Sequence, residues 1–328
     1  FNSSFAREMT DYLELRTAVL SASSASNDRR VLLLLDQYLV LSGFQGKELT
    51  EDILSAWSKT LSGKSKTVKE KLAVVRGFGK YLNTLGHQSF LPTLPKVKSD
   101  YIPYIFSDEE IVSIFHYADN LTPQNPRSCS SFFQLKIPMA LRILYSCGTR
   151  LQETMSLQRK DVDFKNRTLF LKKTKFSKER VIPVHESLIA VMERYCLTLG
   201  IMHEPEAFLF PGRKEGSHYT TRQMDSWFSE ILKLADIDQR ERDCHERGAC
   251  LHCFRHLFVL KSMQQLEAAG HSVDMNDLLL PTYLGHECLL DTDKYMRFSG
   301  GQVAGAIEAF ESFTSGLIPD VEVPYEEE

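Results

Sequence analysis

Four separated stretches of the sequence carry residue types that could do chemistry. They are GTRLQE at 148–153, KTKFSKERVIPV at 173–184, LHCFRH at 251–256 and LGHECLLDTDKY at 284–295. An arginine guanidinium can donate two parallel hydrogen bonds to a phosphate, and an imidazole can move a proton near neutral pH. The sequence contains no Gly-rich phosphate loop, GxSxG or HExxH motif. The commonest nucleotide-binding, hydrolase and metalloprotease interpretations are therefore excluded.

In this order, the four stretches resemble the catalytic set of the tyrosine recombinases, the phage-integrase and Xer-type family of DNA-breaking enzymes. In that family an Arg lies in a G-x-R-x-x-E turn and a Lys on a β-hairpin that ends in K-x-R-x-x-P. An H-x-x-R-H box follows, and L-G-H precedes a Tyr by nine residues, as it does here. The resemblance covers most of residues 25–298, including SKTVKEKLAVVRGFGKYL at 65–82, which is similar to the family's core-binding helix.

The resemblance implies catalytic roles for seven residues, which are Tyr295, Arg150, Lys175, His252, Arg255, His286 and Glu153. Tyr295 would attack phosphorus, giving a 3′-phosphotyrosine and a free 5′-hydroxyl. Negative charge spreads over the phosphate oxygens in the transition state, so fixed cations such as Arg150 and Arg255 should stabilise it. His252 lies three residues before Arg255 and would share a helix face with it. Glu153 would orient Arg150 or His252.

The expelled 5′-oxygen needs a proton, and the resemblance assigns its delivery to a lysine of the hairpin. Aligning K-E-R at 178–180 with the family pattern selects Lys175. The family hairpin usually reads G-K-G, and this sequence departs from it. Lys173 and Lys178 therefore remain alternatives.

The charge distribution favours DNA as a partner despite a net charge of −4. Residues 301–328 hold seven acids and no Lys or Arg, so residues 1–300 carry a net charge of +3. Basic residues are concentrated at 59–98 and 159–180, which predicts DNA-binding surfaces or, alternatively, two solvated faces. The candidate DNA-binding residues are Lys69, Arg76, Lys80, Lys96, Lys98, Lys173, Lys178 and Arg180.

The elements that must position these residues are mostly helical. Apolar spacing predicts helices at 28–43, 49–61, 67–85, 107–119 and 135–148. The helix at 67–85 has an apolar stripe from Val68 to Leu85 and a basic face, and Ser107 with Glu110 predicts a capping box. Two β-prone runs within 168–184 predict a β-hairpin.

These elements predict a mainly α fold with a small antiparallel β-sheet. The resemblance implies a two-domain, C-shaped DNA clamp that joins a helical core-binding domain to a tyrosine-recombinase catalytic domain. We expect the core-type DNA-binding domain at 1–97, a Pro- and Lys-rich linker at 98–106 and the catalytic domain at 107–300. A C-terminal helix and acidic tail at 301–328 would dock on a neighbouring protomer.

The expected partner is double-stranded DNA, bound by a homodimer at each site and a homotetramer in the synapse. No cofactor or metal is expected, although Cys244, His245, Cys250, His252 and Cys253 leave a structural zinc as an alternative. No apolar run reaches the roughly 18–20 residues of a membrane span, so no membrane partner is expected. An odd count of seven cysteines and no signal-peptide pattern favour the cytoplasm.

The sequence therefore predicts a site-specific DNA recombinase that serves integration, excision or transposition of a mobile element. One alternative is a non-catalytic DNA-binding regulator on the same fold. Another is a type IB topoisomerase or a telomere resolvase. The sequence does not identify the target DNA site.

Overall fold

A computed structural model describes residues 1–97, 103–122, 132–172, 179–238, 240, 248–268 and 280–285. The chain divides into two compact units, Phe1–Tyr101 and Ile102–Glu328. Both are built chiefly from α-helices, with one small antiparallel sheet in the second unit. This confirms the predicted fold class. Among the described residues, no helix combines the length and apolar character needed to cross a bilayer.

The first unit packs its helices around an aromatic core. Within residues 1–97 these helices are α1 (Ala6–Val19), α2 (Ala22–Leu41), α3 (Glu51–Thr60) and α4 (Ser65–Thr84). The predicted stripe of α4 is buried at Leu72, Val75, Phe78 and Leu82. Leu85 was predicted on this stripe but is 51% exposed, because the helix ends at Thr84 and Leu85 is its C-cap residue.

The start of the first unit differs from the sequence prediction. α1 has no apolar stripe, and its buried residues are Met9 and Tyr12. α2 begins six residues before the predicted start at 28, because the Ser21 hydroxyl accepts a hydrogen bond from the Ser24 N–H at 3.3 Å and caps the helix. A local cap therefore extends α2 beyond its apolar stretch.

The second unit combines helices with a three-stranded sheet. Its described helices are α5 (Asp108–Asp119), α6 (Phe133–Cys147), α7 (Leu151–Met155), α8 (Glu186–Thr198), α9 (Thr221–Leu234) and α10 (His252–Ala268). Its described strands are β1 (Val162–Asp163), β2 (Thr168–Leu171) and β3 (Arg180–Pro183). Residues 280–284 are also helical.

The sheet has the order β1-β2-β3, with both pairs antiparallel. The pairing of β2 with β3 runs from Thr168 opposite Pro183 to Leu171 opposite Arg180. This confirms the predicted hairpin, whereas β1 is an additional strand. Leu171 and Arg180 end their strands on the side of the 172–179 segment, so they form the base of that segment.

The helix that leads to the candidate site crosses the core of the second unit. α6 is buried at Ile137, Leu141 and Leu144 and packs against α5, α8 and α10. The capping box predicted for α5 is confirmed: Ser107 Oγ accepts from the Glu110 N–H at 3.2 Å, and Glu110 Oε2 accepts from the Ser107 N–H at 2.8 Å.

Candidate active site

The turn after α6 carries Arg150. α6 ends at Cys147 and is capped by Gly148, whose φ of +56° is left-handed. A Cβ at Gly148 would lie 2.4 Å from the ring of Phe258. Any larger residue would meet both backbone strain and a steric clash. Arg150 follows as the N-cap residue of α7, with a side chain that is 26% exposed. The turn therefore holds a partly exposed guanidinium at a fixed point beside the core.

Glu153 in α7 is a buried carboxylate that accepts hydrogen bonds from two arginines. Arg150 Nη1 donates to Glu153 Oε1 at 2.8 Å, and the Arg150 backbone N–H donates to Oε2 at 3.0 Å. Arg180 Nη2 donates to Oε2 at 2.8 Å, and Arg180 Nη1 donates to Oε1 at 3.2 Å. Burial alone would raise the pKa of Glu153, but the hydrogen bonds and charge of Arg180 and then the bonds from Arg150 outweigh it and lower the pKa. Glu153 is therefore ionised at neutral pH and fixes the direction of Arg150.

Arg180 opens strand β3 and is mostly buried. The sequence groups it with the DNA-binding cations, whereas its contacts are those of an internal ion pair with Glu153. The Arg180 side chain is 12% exposed, which is less than half the value for Arg150. Sequence spacing gives no sign of this pairing, because the two residues lie 27 positions apart. The only available signal was the place of Arg180 in the K-x-R-x-x-P pattern.

Arg255 is the buried cation of the H-x-x-R-H box. It lies in the first turn of α10, and the residue is 2% exposed. Its Nη1 donates to the Gly148 carbonyl at 2.7 Å, and its Nη2 donates to the Leu284 carbonyl at 2.9 Å. Because Gly148 lies two residues before Arg150, these bonds bring the box to the turn that carries Arg150. They also join both to the 280–284 helix.

His252 is the first residue of α10 and is exposed, in contrast to Arg255 on the same turn. Its ring packs edge-on against that of His256, with 4.8 Å between centroids. Burial, and then the charges of His252 and Arg255, lower the pKa of His256 to about 3. His256 is therefore neutral at physiological pH. Of these two imidazoles, that of His252 is the exposed one.

Gly285 precedes His286 and lies against Arg180. Its φ is +65°, and a Cβ there would lie 3.2 Å from Arg180 Nη1. The contacts of Gly285, Leu284 and Arg180 thus bring the Arg150 turn, the hairpin and the turn before His286 together. Five predicted site residues and one linker lysine lie outside the described residues: Lys173, Lys175, Lys178, His286, Tyr295 and Lys98.

The first unit presents the predicted basic face on α4. Lys69, Arg76 and Lys80 are seven and four residues apart, so they lie on one side of the helix. Lys80 is exposed, and Lys69 and Arg76 are half-buried. Lys96, beyond the helix, is exposed. Among the residues that the structure describes, none of these four cations pairs with a carboxylate.

Two thiols lie at the start of α10. Cys250 Sγ and Cys253 Sγ are 3.6 Å apart, and Cys253 is fully buried. The hydrogen bond with Cys250, together with burial, raises the pKa of the Cys253 thiol. Within the described ranges, no group of three or more His, Cys, Asp or Glu residues is arranged to hold a metal ion. Cys244 and His245 lie outside those ranges.

Residues 105–298 match the phage integrase family. Tyrosine recombinase XerC of Staphylococcus saprophyticus is 28% identical over 276 residues, which covers 83% of this chain and 83% of that protein. The match to the family spans more than half of the chain and includes the residues of the site described above.

Two solved structures share the fold. The XerH site-specific recombinase bound to palindromic difH substrate superposes with a TM-score of 0.67 and 18% identity, covering 88% of this chain and 80% of that one. The Tn1549 transposon integrase in complex with transposon right end DNA has a TM-score of 0.62 and 17% identity, covering 91% and 98%. This chain belongs to the phage integrase family and is a tyrosine recombinase, an enzyme of site-specific DNA recombination.

Proposed function

We propose that this recombinase cuts and rejoins duplex DNA through a 3′-phosphotyrosyl intermediate at Tyr295, without a metal ion or ATP. The biological role we propose is integration, excision or transposition of a mobile element. The fold shared with a transposon integrase is consistent with this role. The odd cysteine count supports action in the reducing cytoplasm.

In the proposed cleavage step, the Tyr295 oxygen attacks phosphorus and passes its proton to the imidazole of His252. The bond from phosphorus to the 5′-oxygen breaks, and the hairpin lysine, Lys175 or its alternatives Lys173 and Lys178, protonates that oxygen. The 3′-phosphotyrosine preserves the phosphodiester energy. The 5′-hydroxyl of another strand then attacks the phosphotyrosine, which reverses the step and releases Tyr295. The result is an exchange of DNA strands.

The observation that supports this chemistry is the hydrogen bond from Arg255 Nη1 to the Gly148 carbonyl at 2.7 Å. This bond connects the Arg255 guanidinium to the turn that carries Arg150. Two fixed positive charges can stabilise the negative charge that develops on the non-bridging phosphate oxygens. Glu153 orients one of them, the Arg150 guanidinium, through a hydrogen bond of 2.8 Å. His252 adds an exposed imidazole, and His286 is proposed as a second donor to the phosphate.

The proposal includes a division of labour along the chain. Residues 1–97 would bind duplex DNA through Lys69, Arg76, Lys80 and Lys96. Residues 98–106 would link the two domains, and residues 107–300 would cleave the DNA. Two protomers would occupy one site and four would form the synapse. Residues 301–328 would dock on a neighbouring protomer. Deletion of 301–328 should weaken dimer and tetramer formation on DNA while keeping single-site affinity, and unchanged assembly would contradict this part of the proposal.

The decisive experiment is covalent capture. Duplexes carrying a nick beside the cleaved position are recovered from a random-sequence library by their attachment to wild-type protein, and denaturing gels then measure the adduct. Tyr295→Phe should abolish the adduct and leave duplex binding unchanged, because only the nucleophilic oxygen is removed. Wild-type levels of adduct in Tyr295→Phe would contradict the assignment.

Tyr283→Phe provides a matched control. The Tyr283 hydroxyl donates to the Cys147 carbonyl at 3.2 Å, and burial raises the pKa of this phenol, which disfavours the phenolate. The variant should therefore retain the adduct.

Excess chelator should also leave cleavage unchanged, whereas a loss of cleavage that Mg²⁺ reverses would indicate a nuclease.

A further inference from the structure

The paired arrangement of Arg180 and Glu153 gives the hairpin a fixed attachment to α7. The two hydrogen bonds, of 2.8 and 3.2 Å, join both terminal nitrogens of the guanidinium to both oxygens of the carboxylate. The side chains are 12% and 4% exposed. A bidentate pair sets the direction as well as the distance of its partners. It is less screened by water than a surface pair.

The attachment lies at the base of the segment that carries the candidate general acids. Arg180 is the first residue of β3 and pairs with Leu171, the last residue of β2. Residues 172–179 lie between them and include Lys173, Lys175 and Lys178. A constraint on Arg180 therefore acts on both strands at the point where this segment leaves the sheet.

Arg180 also contacts the turn that precedes His286. A Cβ on Gly285 would lie 3.2 Å from Arg180 Nη1 and 3.5 Å from its Cδ and Cζ atoms, so the backbone of this turn packs directly on the side chain. Arg180 therefore contacts Glu153 of α7, the residue that orients Arg150. It also contacts the turn before His286.

We propose that Arg180 is a positioning residue that clamps the β2–β3 hairpin to the Arg150 turn and so sets the place of the lysine that protonates the leaving 5′-oxygen. This inference rests on the proposed function. Arg180 acts through the hairpin rather than on the DNA phosphate, because both of its terminal nitrogens donate to the Glu153 carboxylate, which balances its charge. Arg255 differs, because it donates to backbone carbonyls that carry no net charge. A misplacement of about 1 Å can reduce a rate by about 10²-fold.

The test measures single-turnover cleavage at saturating protein with two versions of a captured nicked duplex. One has the ordinary phosphate, and the other has sulfur in place of the 5′-bridging oxygen, a leaving group that needs no proton. Arg180→Met should slow cleavage of the ordinary duplex by about 10²-fold and should cleave the sulfur duplex at close to the wild-type rate. Arg194→Met removes an exposed arginine of α8 and should behave as wild type on both.

Arg180→Lys keeps a cation beside Glu153 but lacks the two-pronged guanidinium, so it tests the geometry in a protein that retains the buried charge balance. It should show a smaller loss with the same rescue by sulfur. Equal slowing on both duplexes by the two variants would overturn the inference, because the effect would then not pass through the hairpin lysine. Weaker DNA binding with unchanged cleavage at saturation would overturn it in favour of a phosphate contact.

The outcomes separate this inference from the function on which it rests. A wild-type protein that forms no covalent product with either duplex overturns the proposed function. Wild-type cleavage together with an unaltered rate in Arg180→Met overturns the positioning role alone.

Discussion

The two units differ in what they bury. Among the described residues, the first unit buries three polar side chains, which are Asp28, Asp36 and Ser89. The described part of the second unit buries Lys136, Thr149, Glu153, Thr154, Asp161, Arg255 and His256. The two buried carboxylates of the first unit join segments within that unit. Asp28 of α2 pairs with Arg16 of α1 at 2.9 Å, and Asp36 of α2 accepts from the backbone N–H groups of Asn2 and Ser3.

Buried charge is costly unless it is paired, and it then fixes geometry. In the second unit, two of the buried charged residues, Glu153 and Arg255, lie at the candidate site. Their hydrogen bonds connect the segments that carry the proposed catalytic groups. In the first unit the cations of α4 remain at or near the surface, where phosphates can reach them without desolvating a core. The first unit therefore keeps the cations of its α4 face outside its core, whereas the second unit buries charged groups at its candidate site.

The largest effect should come from opening the apolar core of the first unit. Phe78 is fully buried, and its ring lies 6.1 Å from Phe5 and 5.6 Å from Tyr12 between centroids. Phe78→Ala should lower the free energy of unfolding of this unit by about 3–5 kcal/mol. Urea unfolding is followed by the emission of Trp57 in a chain that carries Trp227→Phe, since the chain has two tryptophans and one lies in each unit.

Phe78→Leu is the matched control and should lose clearly less, because it keeps most of the apolar volume. Emission of Trp227, which stacks on Phe133 with 4.8 Å between centroids, should be unaffected by Phe78→Ala in a Trp57→Phe chain. Equal shifts of both signals would show that the two units unfold as one.

In the second unit, the charged core should respond strongly to the loss of Arg255. Arg255→Met fills similar space but removes two hydrogen bonds from a charged group to backbone carbonyls. We expect a loss of about 3 kcal/mol in the unfolding free energy, read from Trp227 emission, together with loss of covalent capture. Arg255→Lys keeps the charge but cannot span both carbonyls, so it should lie between. Unchanged unfolding in Arg255→Met would show that the two bonds carry no stability.

Sequence patterns predicted several elements of both units and missed others. Apolar spacing correctly gave α3, α4, α5 and α6, and strand propensity gave the hairpin, because in these elements the local pattern and the packing agree. α1 escaped prediction because only Met9 and Tyr12 are buried in it. The start of α2 escaped because Ser and Asn at 21–27 are typical of caps and turns, yet here they continue a helix that is anchored by Asp28.

For the site, residue types and order selected Arg150, Glu153, His252 and Arg255, which the structure places at the turn after α6 and the start of α10. Their partners could not be predicted, since the Arg180–Glu153 pair and the bonds from Arg255 to Gly148 and Leu284 join positions far apart in the chain. Such contacts depend on how α7, α10 and the hairpin pack, and spacing in a single sequence does not record that packing. The catalytic roles of these four residues, like those of Lys175, His286 and Tyr295, remain predictions.

A smaller effect should appear in the pH dependence of the stability of the second unit. The pKa of Glu153 is below its ordinary value of 4.5 in the folded protein, so its contribution to stability is present above about pH 4.5 and is lost as pH falls through the folded pKa. Glu153→Gln should cost about 2 kcal/mol at neutral pH, and this difference should shrink below pH 4.5. Glu193→Gln, at an exposed position of α8, should cost little at any pH. A constant difference for Glu153→Gln would mean that the carboxylate charge does not stabilise the fold.

The smallest effect should be on binding by the first unit, with no change in its stability. Lys80 is exposed on the basic face of α4, and no described carboxylate pairs with it. If it neutralises one phosphate, Lys80→Gln should reduce the slope of log binding constant against log salt by about 1. Unfolding followed by Trp57 should not change, because the side chain lies outside the core. Arg7→Gln is the matched control, since Arg7 is exposed on α1 and faces Asp11 at 3.9 Å. Equal slopes for the two variants would show that the α4 face has no preference for DNA, and surface charge would then not distinguish the first unit from the second.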